Sequence, residues 1–473
     1  MALLVLKCLG ALGLRERLFV DSSSQETKSL FMKITHFAQK LAVTAAVVGL
    51  SLTLSAQTKA AYKVGPISVI SQGCGGSNAE VEQATDVAHG SYVYEAWIGC
   101  GGIGFARSTN GGKTFSAPQT LPGSSGAWDP SIAVAPDGTV YVGFNTANGI
   151  QFFPVVLASF DHGQTFPQST SLLPPDNYNW GDRVFLATGP DGTVYATWDY
   201  GPEISEIQLI CSPIGSCSFS AGDLNIVMQK STDGGKTFSA MSHVSPNFPA
   251  GGAFAAPMVV EPNGQIDTYY AADSVVNRTT LELGPGDGRY TASVDGGEAW
   301  STPQNIAAKS GKTSIDEWWI DGAIASDEGG NLYATWDTQG TNKDGTANDI
   351  GWLSYSTNHG QGWSAPIPTT PDKLNVPHIL AVAGGSNGIA YVAWLSPSDS
   401  RGYALYGRAY SIKSGWLSPA VRISNQFGNS TIWPGDTFGI STLGPNTLVL
   451  SWGSAVGGSG TSSIFAVPVQ VQF

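Results

Sequence analysis

Four short stretches of this chain set acids beside indoles, and a fifth carries a lone imidazole: "GAWDPS" with Asp129, "NYNWGDRV" with Trp180, Asp182 and Arg183, "SIDEWWID" with Asp316, Glu317 and Trp318, "IWPGDTF" with Trp433 and Asp436, and "NVPHI" with His378. An indole stacks on the apolar face of a sugar ring, while carboxylates accept hydrogen bonds from its hydroxyls. Two carboxyl groups at a suitable separation can also act as acid and base in glycoside cleavage. Asp182, Arg183, Asp316 and Glu317 are therefore assigned the catalytic role. The expected substrate-binding set is Asp129, Trp180, Trp318, Arg278, Arg401, His378, Trp433 and Asp436. A plainer reading stands beside each, because an Asp or Trp at a strand start is often a turn former or a wedge between sheets.

Other chemistries have little to build on. The chain has no H-E-x-x-H and no phosphate-cradling glycine loop. "TNKDGTAND", with Asp344 and Asp349, lacks the regular ligand alternation of a calcium loop. No cofactor is expected, a structural calcium ion at that loop being the one allowance, and no metal is assigned to the site.

The elements that must position these residues repeat along the chain. "STDGGKTFSA" from Ser231 recurs as "STNGGKTFSA" from Ser108, "SFDHGQTFPQ" from Ser159, "SVDGGEAWST" from Ser293 and "STNHGQGWSA" from Ser356, with a worn copy, "SIKSGWLSPA", from Ser411. Ser and Asp/Asn can bond backbone N–H groups inside the turn, Gly reaches a conformation that other residues adopt only under strain, and the aromatic starts the next strand. A second phrase, as in "PDGTVYVGF" from Pro136 and "PDGTVYATW" from Pro190, falls between copies and is a turn leading into an alternating strand. Seven such strands end near Trp97, Phe144, Trp198, Ala272, Trp336, Trp394 and Trp452. Units of four strands, each roughly 40–70 residues long, describe propeller blades. The seventh unit lacks a fourth strand, and "KVGPISVIS" from Lys63 reads as an orphan one. The expected fold is all-β: a seven-bladed propeller over 62–473, closed by its N-terminal strand. Six blades or two domains are the alternatives; the even spread of the repeat disfavours two domains.

The hairpin tips resemble the Asp-box, or BNR repeat, of sialidases and other secreted propellers, and the resemblance spans essentially 62–473. It implies boxes between third and fourth strands, on the face away from the binding site, so the stretches quoted first belong on the opposite face. That face would also hold Asp199, Asp273 and Asp337. Asn110 and Asn358 stand where the box usually has Asp and keep the capping acceptor. Sialidases clamp their substrate with an arginine triad, for which Arg183, Arg278 and Arg401 are the positions here, and use a Tyr–Glu nucleophile with an Asp acid/base. The R-I-P sequence around their first arginine does not occur in this chain, no Tyr–Glu pair stands out, and sialidases tend to six blades.

Composition agrees with an exported, turn-rich protein. Only 12% of residues are charged, against about 25% typically, and there are 59 glycines. A net charge of −13 argues against nucleic acid. Met32 opens a basic start followed by an apolar run from Leu41 to Leu54 and small residues, the layout of a signal peptide over 32–60. An uncleaved membrane anchor is the alternative; residues 1–31 read as an extension without globular pattern. Apart from Cys8, four cysteines remain, and Cys74–Cys100 and Cys211–Cys217 are the expected disulfides. The functional expectation is a secreted or periplasmic monomer acting on extracellular carbohydrate or glycoprotein, as a sialidase-like glycoside hydrolase or a glycan binder, with no stable membrane span after processing. The rival is a non-catalytic scaffold propeller that engages other proteins.

Overall fold

The structure is a computed structural model. It describes residues 60–149, 151–175, 179–201, 208–211, 217–220, 223–246, 251–277, 282–283, 287–307, 324–338, 350–369, 379–386, 388–399, 402–424, 435–455 and 460–473. Seven antiparallel sheets form the blades of a propeller. The first strands of blades one to three are Ala79–Asp86, Trp128–Val134 and Trp180–Thr188. Those of blades four to seven are Met258–Val260, Ile324–Ser326, Ile379–Gly384 and Gly439–Gly444. One residue from each first strand, Gln83, Ser131, Leu186, Met258, Ile324, Val382 and Ile440, lines an axial cavity of about 180 Å³. Blades three and four are further joined by a parallel bridge, Asp223 and Leu224 pairing with Gly251 and Gly252.

The second strand of each blade is the core. Trp97, Trp198, Trp336, Trp394 and Trp452 are essentially inaccessible, and so are Phe144 and Ala272. Indoles of that size fill the wedge between neighbouring sheets, each burying on the order of 150–250 Å².

Ring closure follows the expectation. Ala61–Val64 pairs antiparallel with Ser462–Gln472, Ala61 opposite Gln472 and Val64 opposite Val469, and Ser68 and Val69 pair with Ala466 and Phe465. The last blade thus takes its outer strand from the beginning of the sheet region, and no seam is left open. A disulfide links Cys74 to Cys100. Cys211 and Cys217 stand opposite one another in a two-stranded ribbon.

The boxes satisfy themselves. Ser231 Oγ donates to Asp233 Oδ1 at 2.8 Å and accepts from Gly235 N at 3.0 Å, and the same pair of bonds recurs at Ser108, Ser159, Ser293 and Ser356. Asn110 and Asn358 keep the acceptor, taking Thr114 N and Gly362 N. Each box also packs on the blade before it. Phe166 meets Phe105 edge-on at 5.1 Å, and Trp363 meets Tyr290 at 5.0 Å. A Cβ at Gly163 or Gly235 would press on Phe105 or Tyr141. The repeated phrase is therefore a staple between blades. Among the described residues no helix is long and apolar enough to cross a membrane.

Candidate functional site

At the end of the axis opposite the boxes, the first strands share an irregularity. Glu80 in blade one, Asp129 in blade two, Arg183 in blade three and Ala255 beside blade four have φ of 49°, 46°, 49° and 52°. Pairing with the second strand slips at Glu80, Asp129 and Arg183. A bulge of this kind re-aims a side chain that regular alternation would bury between blades. Left-handed backbone in non-glycine residues costs of order 1–3 kcal/mol each and persists only where the surroundings hold it. Here each blade braces the next. Asp129 Oδ2 accepts from Arg183 N at 3.1 Å, Asn145 Oδ1 from Val184 N at 3.0 Å, and Asp199 Oδ1 from Ala255 N at 3.0 Å. Asp199, expected on the working face, thus holds a bulge in place.

The bulges bring four carboxyls and one guanidinium together. Asp129 hydrogen-bonds to Glu80 on one side chain and to Asp182 on another. Arg183 Nη2 donates to Asp436 Oδ2 at 2.7 Å, reaching from blade three to the entry of blade seven. Glu80, Asp182, Arg183 and Asp436 are 4%, 8%, 6% and 7% exposed, so the cluster works in a medium where charge is expensive. Burial, reinforced by the Asp129 and Asp436 charges, holds the Glu80 carboxyl well above the usual carboxylate range, with Arg183 opposing. Burial and then Asp129 do the same to Asp182. Both are pushed toward holding a proton more tightly than an ordinary carboxyl does, the direction a general acid needs. Among the described residues, Glu80 Oε2 has no hydrogen-bond partner.

An aromatic ledge adjoins the cluster. Trp128 Nε1 donates to Asp182 Oδ1 at 2.6 Å. The Trp128 ring meets Phe152 at 5.7 Å, and Phe152 meets Trp180 at 5.6 Å, all three partly exposed. The ledge is pinned from beneath, because Asn179 Nδ2 bonds Phe152 O and a Cβ at Gly181 would overlap that same carbonyl.

Of the residues singled out from sequence, Asp129, Trp180, Asp182, Arg183 and Asp436 lie together here. Asp316, Glu317, Trp318, Arg278, Arg401, His378 and Trp433 lie outside the described residues, as do Asp344 and Asp349 of the calcium-like loop and all but the last residue of the 32–60 segment. Glu80 and Phe152 were not singled out. Glu80 lies near the start of Ala79–Asp86, as Arg183 does in Trp180–Thr188, but without an indole beside it in sequence. Phe152 opens a third strand and gives no local signal. Among the described residues, no group of three His, Cys, Asp or Glu could hold a metal ion.

Neither a family description nor a curated protein sequence matches this chain. Solved structures do. The polysaccharide lyase Uly1 superposes with a TM-score of 0.51 at 10% identity, over 82% of this chain and 89% of its own. A PL25 ulvan lyase bound to a GlcA(1-4)Rha3S unit gives 0.51 at 12% identity, over 84% and 95%. The GH93 α-L-arabinofuranosidase of Fusarium graminearum, solved with arabinobiose, gives 0.47 at 14%, over 73% and 93%. The likeness is one of fold. At such identities it carries no residue across.

Proposed function

We propose that this protein is an exported propeller that binds extracellular glycans and cleaves their glycosidic bonds at the axial cluster. The observation that carries the reading is a buried carboxyl, Asp182, packed against Asp129, bonded by the Trp128 indole and beside the Arg183–Asp436 pair, with its proton affinity raised by burial and by Asp129. In this scheme Asp182 delivers its proton to the leaving glycosidic oxygen. Asp436, oriented by Arg183, accepts a proton from the water that adds to the anomeric carbon, which is acid–base hydrolysis with atoms balanced. Asp129 in direct contact with Asp182 is too close to be the second catalytic carboxyl, and serves to keep the proton on it. Two propellers of this fold are named as polysaccharide lyases, which supports a glycan as the class of ligand. Export rests on the signal-peptide layout of 32–60.

The test is incubation of the purified full chain with aryl glycosides and oligosaccharides, sialosides included, beside Asp182→Asn. Product release by the native chain, lost at least 100-fold in the variant with binding retained, is the expected result. Absence of turnover, together with no binding on a glycan array, refutes both cleavage and glycan binding. One observation favours the rival scaffold reading: the Arg183–Asp436 pair is buried deeply enough to act as a pin across the ring. In that case Asp182→Asn would change stability and nothing else.

A further inference from the structure

The charge of the cluster bears on which sugar can enter it. Among the described residues, Glu80, Asp129, Asp182 and Asp436 bring four carboxyls, and Arg183 is the cation they surround, already bonded to Asp436. An arginine that is to clamp a ligand carboxylate must offer its fork to that ligand. This one spends a donor on a protein carboxylate at 2.7 Å. A ligand carrying its own carboxylate or sulfate would add a further anion to four acidic groups served by one guanidinium that is already paired, in a poorly hydrated site where added negative charge is expensive and weakly screened. Glu80 Oε2, buried and without a partner among the described residues, is suited instead to a hydroxyl that both donates and accepts. The ledge of Trp128, Phe152 and Trp180 supplies the flat apolar surface that a sugar ring covers.

Resting on the glycan reading above, we infer that the site takes an uncharged saccharide, stacked on the Trp128–Phe152–Trp180 ledge with a hydroxyl on Glu80, and that it rejects acidic sugars. Rejection by unlike burial and like charge is specificity gained through repulsion. The chain would then differ from the PL25 ulvan lyase, whose bound unit contains glucuronate and a sulfated sugar.

Calorimetric titration of the full chain with length-matched neutral oligosaccharides (arabinan, galactan, xylan and glucan fragments) and acidic ones (oligogalacturonate, glucuronate oligomers, sialyllactose) decides it. Neutral ligands should bind at least tenfold more tightly than acidic ones, and Trp180→Ala should weaken the neutral binders about tenfold. Raising the salt should improve whatever acidic binding exists, as screening relieves repulsion; this measurement on the native chain stands even if Asp436→Asn fails to fold. If Asp436→Asn does fold, it should narrow the gap at least threefold by freeing Arg183. Acidic ligands binding as tightly as neutral ones, or weakening with salt, overturn the inference and leave the glycan reading standing. No saccharide of either kind binding overturns both.

Discussion

Arg183 and Asp436 belong to blades three and seven, which are not neighbours in the ring, yet Nη2 lies 2.7 Å from Oδ2 with both side chains at least nine-tenths buried. The pair spans the axis because Arg183 sits on a left-handed bulge, φ 49°, whose N–H is held by Asp129 Oδ2. Removing one member leaves a buried charge without its counter-ion, which typically costs about 3–5 kcal/mol. Asp436→Ala is expected to lower stability by about that much in chemical denaturation. A double replacement by apolar residues of similar volume should lose less than Asp436→Ala alone.

Trp128 couples the ledge to the acid. Its Nε1 donates to Asp182 Oδ1, and a donor at that oxygen favours the ionised carboxyl. Trp128→Phe keeps a ring and removes the donor, so the Asp182 proton should be held to higher pH. The alkaline limb of the rate or binding profile is expected to move upward. An unchanged profile would detach Trp128 from the acid.

Stability should peak in mild acid. Burial raises Glu80, Asp182 and Glu95 well above the carboxylate range, and raises Asp267 to about 7 despite hydrogen bonds from Tyr290 and Gln265. Groups raised in the folded state add stability that is complete below their unfolded values and lost as pH climbs through the folded ones. The box acids Asp161 and Asp233 go the other way, to about 2. In Asp161 burial is the largest single influence and pushes upward, but the bonds from Thr165, Ser159 and Gln164 together outweigh it, and in Asp233 the bonds from Thr237 and Ser231 dominate. Their contribution holds above the ordinary carboxylate value and fades as pH falls toward 2. Melting temperatures across pH 3–9 are expected to be highest between these windows and to decline through neutrality. Glu95→Gln, a neutral isostere at a fully buried position, should flatten the alkaline decline.

The staple role of the boxes is tested at Gly360. Its φ is 74°, and a Cβ there would overlap the Tyr290 hydroxyl of the preceding blade, which donates to Asp267 Oδ1 at 2.6 Å. Gly360→Ala is expected to destabilise by about 1–3 kcal/mol through strain and displacement of that tyrosine. A melting temperature within error of the native one would remove the box from the interface between blades.

Blade number, ring closure and the position of the boxes were legible in the sequence because they rest on local, repeated physics. A Ser–x–Asp/Asn–x–Gly turn satisfies its own donors wherever it occurs, and Trp198 or Trp336 at the end of an alternating strand must bury against a neighbouring sheet. An orphan strand at Lys63 and a missing one after Thr447–Ala455 and Ser462–Gln472 demanded each other for the same reason. The site was legible only in part. Asp129, Asp182, Arg183 and Asp436 could be suspected one by one from their neighbours in the chain, but nothing local says that Arg183 reaches Asp436 rather than a ligand. Nor does it say that Asp199 holds Ala255 N, or that Glu80 and Phe152 complete the group. Those relationships join residues from different blades, and only closing the ring brings them within hydrogen-bonding distance. Local sequence decides which turns form, and the closed ring decides which charges meet.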